Sequence, residues 1–81
     1  MNKTVSVQYF AILRDQRGLA QEQLSSAAAT PGALYDELRE RHSFTLPGDR
    51  IRAAVNDAFV ASSSELREGD RIVFIPPVAG G

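Results

Sequence analysis

The residues best placed to do chemistry stand at the end of the sequence, Pro76-Pro77-Val78-Ala79-Gly80-Gly81. None of them has a reactive side chain. What they offer is the α-carboxylate of Gly81, carried behind two prolines that fix φ near the polyproline value and have no N–H for a sheet ladder. At about 3.3 Å per extended residue, the stretch after Pro76 can hold that carboxylate on the order of 15 Å from a folded domain. With no Cβ on Gly80 or Gly81, another backbone can close around the tip and reach the carboxylate from any side. This is the form a terminus needs if an enzyme is to activate it. A carboxylate is a poor electrophile, because attack adds charge to an anion, whereas an acyl-adenylate has a good leaving group.

Other chemistries find little support. The 81 residues include no cysteine, which removes disulfides, thiolate metal sites, iron–sulfur clusters and a thiol nucleophile together. His42 is the only histidine. It falls at the end of a predicted helix, and a dipole or capping role is expected there. No serine sits in a nucleophile elbow. Nine Lys and Arg against ten Asp and Glu give a net charge of −1. With no basic block to neutralise phosphates, nucleic acid is not an expected partner. No apolar run approaches about 18 residues, and Met1-Asn2-Lys3 leads directly into alternating residues, so neither a membrane span nor a signal peptide is expected and the chain is read as cytoplasmic.

The elements that must carry the tail are legible in order. Thr4 to Phe10 alternates with period two, sending Val5, Val7 and Tyr9 to a core and leaving Phe10 at the end of a polar row as a candidate exposed aromatic. Ala11 to Asp15 predicts a short helical turn ending near Gly18, and Leu19 to Ser26 an exposed strand paired with the first. Thr30-Pro31 is a helix start, threonine capping and proline at the first helical position. Leu34, Leu38 and Ala33 give that helix its apolar stripe, and acidic residues early with Arg39, Arg41 and His42 late complement its dipole. Phe44 to Gly48 reads as a loop, with Leu46-Pro47-Gly48-Asp49 as turn chemistry and Phe44 or Leu46 as the plug under it. Ile51 to Val55 and Ala58 to Val60 read as strands joined by the tight turn Asn56-Asp57. Ser62-Ser63-Ser64 reads as surface loop and Leu66 as a core contact. Gly69-Asp70 then turns the chain into a last strand, Arg71 to Ile75. One domain of this size holds a single modest core. The order predicts an α+β domain over residues 1–75, one helix across one sheet with the opposite face open, and an extended tail over 76–81. With Ile72 and Phe74 inward, Val73 and Ile75 face outward beside the tail, where Phe10 and Phe59 could join them in a patch that binds a protein partner.

Together these residues resemble the small subunits of molybdopterin synthases, which are ubiquitin-like β-grasp sulfur carriers. The likeness spans the chain: Tyr9-Phe10-Ala11-Ile12-Leu13-Arg14-Asp15, Ala53-Ala54-Val55-Asn56, Leu66, Gly69-Asp70, and most specifically Phe74-Ile75-Pro76-Pro77-Val78-Ala79-Gly80-Gly81. Ile75 departs from the pattern, standing where an aromatic is common. The resemblance implies a mixed sheet of about five strands with one main helix. It also implies that an E1-like adenylyltransferase uses ATP and Mg²⁺ to adenylate the carboxylate of Gly81, and that sulfur from a donor protein then displaces AMP. The product is a thiocarboxylate, a 1-thioglycine. The large synthase subunit, in a heterotetramer with two copies of each chain, is then implied to receive the tail and pass the sulfur to cyclic pyranopterin monophosphate, building the molybdopterin dithiolene of the molybdenum cofactor. On this view the chain binds no cofactor and is not an enzyme alone: the large subunit supplies the catalytic side chains. Gly81 carries the reaction, Pro76, Pro77, Val78, Ala79 and Gly80 insert the tail, and Phe10, Phe59 and Ile75 anchor the partners. The alternatives are a sulfur carrier for thiazole or amino-acid synthesis, a modifier conjugated to lysines, and a passive β-grasp interaction module.

Overall fold

Alternation along β1 (Lys3–Tyr9) sends Val5, Val7 and Tyr9 to one side, where each is at most 1% exposed. The computed structural model describes residues 2–77. After β1 comes the short helix α1 (Ile12–Arg17), closed by Gly18 in the left-handed region at φ 84°, where a residue without a Cβ is at ease. Strand β2 (Gln21–Ser26) returns antiparallel to β1, with Val5 opposite Leu24 and Val7 opposite Glu22. Helix α2 (Pro31–His42) begins as expected: the Thr30 hydroxyl accepts from the Ala33 N–H at 3.1 Å, and Pro31 fills the first turn. A 3₁₀ turn, Gly48–Arg50, leads into β3 (Arg52–Val55) and β4 (Ala58–Val60), and β5 (Arg71–Ile75) comes last. Asn56 and Asp57 both take positive φ, 52° and 74°, the pair of left-handed residues that matches a two-residue hairpin to the twist of its strands.

The sheet order is β2-β1-β5-β3-β4. Strands β1 and β5 run parallel in its middle, and every other pair is antiparallel. Helix α2 lies across one face, giving the α+β arrangement with a mixed five-stranded sheet and one main helix. Leu34, Tyr35 and Leu38 meet Val5, Val7, Tyr9, Ile72 and Phe74 in the core. Tyr35 is its hub. Its ring stands edge-on to Phe74 at 5.3 Å and stacks on Phe44 at 5.9 Å, while its hydroxyl donates to the Leu46 carbonyl at 2.8 Å. The buried end of a tyrosine is thereby satisfied. Phe44 is the plug of the loop, and Leu66 is buried as expected.

Three expectations are corrected. Ala33 is exposed, and Tyr35 takes its place in the stripe of α2, because helix positions 34, 35 and 38 subtend one face. The first turn of α2 holds no acidic residue; Asp36 and Glu37 come later, and Glu37 accepts a hydrogen bond from the buried Ser26 hydroxyl at 2.9 Å. His42 does not cap: Ser43, left-handed at φ 58°, closes the helix, and the imidazole packs on Phe44 with ring centres 5.8 Å apart. Burial, aided by the Arg17 charge, pushes its pKa below the ordinary value, so it favours the neutral form and contributes packing more than dipole compensation.

Candidate functional site

The inward and outward alternation of β5 decides the site. Ile72 and Phe74 are buried under α2, and Val73 and Ile75 point to the open face. Register then fixes their neighbours there. Val73 stands opposite Gln8 on one side and Ala54 on the other, Ala54 opposite Phe59, and Ile75 opposite Arg52. Across β1 and β2 this face is polar, with Ser6 opposite Gln23 and Gln8 opposite Gln21. From Val73 to Phe59 it is apolar. Among the described residues Phe59 is the most exposed of the large apolar side chains, at 64%.

At the rim where β5 ends, an open hollow of about 500 Å³ is lined by Phe10, Ala11, Ile12, Leu46, Ile75, Pro76 and Pro77. Its walls are almost wholly apolar. Pro76 is buried against the domain and Pro77 is exposed. The structure thus brings Phe10, Ile75, Pro76 and Pro77 together, while Phe59 stands apart from them on the open face beyond Arg52. Val78, Ala79, Gly80 and Gly81, including the residue expected to carry the reaction, lie outside the described residues.

Two features hold Phe10 at the rim, and sequence reasoning missed both. The Leu13 N–H donates to the Phe10 carbonyl at 3.1 Å, closing a turn in which Ala11 takes φ 53° and ψ −126°. That region normally belongs to glycine, so alanine there stores strain next to an apolar site. Just before it, Tyr9 donates its hydroxyl to Glu22 Oε2 at 2.7 Å, and Arg17 grips the same carboxylate with Nε and Nη2, each at 2.8 Å. The Arg17 hydrogen bonds hold the Glu22 carboxyl below its usual range, and burial with the Glu22 contact pushes the Tyr9 phenol above its own. These three side chains lock α1 to β1 and β2 on the core side of the strand that presents Phe10. A Tyr, an Arg and a Glu separated by 5 to 13 positions carry no recognisable spacing, so only the fold reveals them.

Among the described residues no group of three or more His, Asp or Glu side chains could hold a metal ion. None of their helices is long and apolar enough to cross a membrane. Among the described residues the arrangement offers contact surface without reacting side chains: an apolar rim where β5 runs into Pro76 and Pro77, beside a half-apolar sheet face.

The chain resembles known proteins over nearly its whole length. The chain is 30% identical over 80 residues to the molybdopterin synthase sulfur carrier subunit of Escherichia coli K12, covering 95% of this chain and 99% of that one. The crystal structure of SAMP1 from Haloferax volcanii superposes with a TM-score of 0.75 at 26% identity, over 96% of this chain and 99% of the other. Subunit 1 and 2 of the molybdopterin-converting factor of Helicobacter pylori form a protein–protein complex, and a chain of that structure superposes with a TM-score of 0.63 at 25% identity, over 96% and 99% of the two chains. The fold is therefore the ubiquitin-like β-grasp that the sequence suggested. Residues 7–81 match the ThiS family, so this chain belongs to the ThiS family of ubiquitin-like sulfur carriers.

Proposed function

We propose that the chain is the sulfur carrier subunit of a molybdopterin synthase, with Gly81 as the carrying residue. The observation that supports this most directly is the apolar hollow at the root of the tail, where Phe10, Ile75, Pro76 and Pro77 meet. A carrier must be gripped firmly by its domain while its tip enters another protein, and a rim of this kind serves that grip. In the proposed cycle a carboxylate oxygen of Gly81 attacks the α-phosphorus of ATP on an E1-like enzyme, releasing pyrophosphate. The outer sulfur of a donor persulfide then displaces AMP, and a thiol reduces the resulting acyl disulfide to leave the thiocarboxylate. The large subunit takes the tail into its active site, where the sulfur passes to the pterin precursor and the glycine returns as a carboxylate. Pro76, Pro77 and Val78 aim the tail, Ala79 and Gly80 let it pass a narrow channel, and Phe10, Ile75 and Phe59 anchor partners.

Mass spectrometry tests the reading. Incubation with the activating enzyme, ATP and a sulfur donor should add about 16 Da, one oxygen replaced by sulfur. A chain lacking Gly81, or extended beyond it, should keep its fold and gain nothing. Full sulfur transfer by the truncated chain overturns the mechanism. Supplying the thiocarboxylated chain with the large subunit and the pyranopterin precursor, or with precursors of thiazole or amino-acid synthesis, identifies the acceptor. Covalent adducts to lysines would mark it as a modifier instead.

A further inference from the structure

On the open face one charged side chain stands among the apolar anchors. Arg52 lies directly across the strands from Ile75, and its guanidinium carbon sits 5.1 Å from the centroid of the Phe59 ring, on the ring face. The other arginine on this face, Arg71, is already paired with Asp57. Arg52 is not. Asp49 lines the same shallow depression as Arg52 and Phe59, yet among the described residues Arg52 makes neither an ion pair nor a side-chain hydrogen bond. The ring holds the cation by its face, which leaves the planar fork of N–H donors for a ligand.

Position turns this into a requirement on the partner. A protein surface that covers both Ile75 and Phe59 must also cover Arg52, because Arg52 lies between them. Taking an unpaired guanidinium out of water is costly, and the cost is offset only by an anion with matching geometry. A carboxylate offers that match with two parallel hydrogen bonds. We infer that Arg52 is a specificity-determining residue: the protein that docks over the root of the tail must seat an Asp or Glu carboxylate between Ile75 and Phe59. This rests on the reading of the chain as a carrier that docks on a large subunit. It adds that the central contact of the docked face is a charge pair ringed by apolar side chains, so that large subunits lacking this carboxylate are refused.

The test measures binding of the full chain to the molybdopterin synthase large subunit of the same organism by titration calorimetry. Wild type, Arg52→Glu, Arg52→Leu and Arg52→Lys are compared, each checked for an unchanged amide NMR spectrum outside β3 and its neighbours. Arg52→Glu should bind more weakly by about 30-fold or more. Arg52→Leu, although more apolar, should also lose about 10-fold or more, because the partner's carboxylate is left buried and alone. Lysine should fall between leucine and wild type. Changing one Asp or Glu of the partner surface to Arg should restore binding of Arg52→Glu. If Arg52→Leu binds as tightly as wild type, or more tightly, the face is purely apolar and the inference is overturned while the carrier reading stands. If folded wild type does not bind the large subunit at all, the carrier reading itself fails. A concentration-dependent dimer of the chain that Arg52→Glu dissociates would assign the face to a second copy, and also overturns the inference.

Discussion

Glu22→Gln tests whether the half-buried polar contacts behind Phe10 hold the site in place. The Glu22 carboxylate accepts three charge-assisted hydrogen bonds, one from Tyr9 and two from Arg17, and the side chains of Arg17 and Glu22 are only 24% and 17% exposed. Glutamine has one acceptor oxygen for these donors, and because Arg17 donates to both oxygens of Glu22 the glutamine NH₂ must face the guanidinium in either orientation. The expected cost is the loss of one such bond plus an imperfectly satisfied cation, together about 2–3 kcal/mol. For a domain of this size that lowers the melting temperature by about 10–20 °C. Urea titration followed by circular dichroism measures it. The pH dependence supplies an independent check with a definite sign. Arg17 depresses the Glu22 carboxyl in the folded state relative to the ordinary value of 4.5, so its contribution is present above that value and is lost as pH falls through the folded one. Wild type should therefore lose stability on acidification more steeply than Glu22→Gln. A loss below about 0.5 kcal/mol at neutral pH, with equal acid slopes in the two proteins, would show that the pair behaves as an ordinary surface ion pair and refute the reasoning.

Further outcomes follow from the packing. Leu38→Ala, at a position with no exposure, should cost about 2–5 kcal/mol in the same titration. Asn56→Ala removes the acceptor of the Arg71 N–H and the donor to Asp70, each at 3.0 Å, and puts alanine at φ 52°; a loss of about 1–2 kcal/mol is expected. Ala11→Gly should raise stability by about 1 kcal/mol by relieving the strained turn, and a decrease would mean that the strain is absent in solution. Phe10→Ser, at a side chain 41% exposed, should change stability by less than about 0.5 kcal/mol yet weaken docking of the large subunit by about 10-fold, measured by calorimetry.

Local signals carried much of the fold. Thr30-Pro31, Asn56-Asp57 and the glycines at 18 and 69 each answer to backbone constraints that act within a few residues, and the period-two rows of β1 and β5 correctly divide Val5, Val7 and Tyr9 from Phe10, and Phe74 from Ile75. What stayed hidden depends on residues far apart in sequence. Tyr35 is a core residue because Phe44 and Leu46, from the loop after α2, and Phe74, from β5, converge on it, and a helical stripe centred on Leu34 and Leu38 does not choose between its two flanks. The setting of Arg52 between Ile75 and Phe59 exists only through strand register, which no single stretch contains. Phe59 was expected beside Phe10; the strand order places it two strands beyond β5, on β4, so the two aromatics bracket the face instead of meeting.

The parallel pairing of β1 with β5 also governs how the domain bears load. Any pull applied at Pro77 passes into a strand held on both sides, by β1 and by β3. Force along β5 loads the hydrogen bonds to both neighbours in shear at once, whereas the same axial pull on an edge strand would be borne by one neighbour alone.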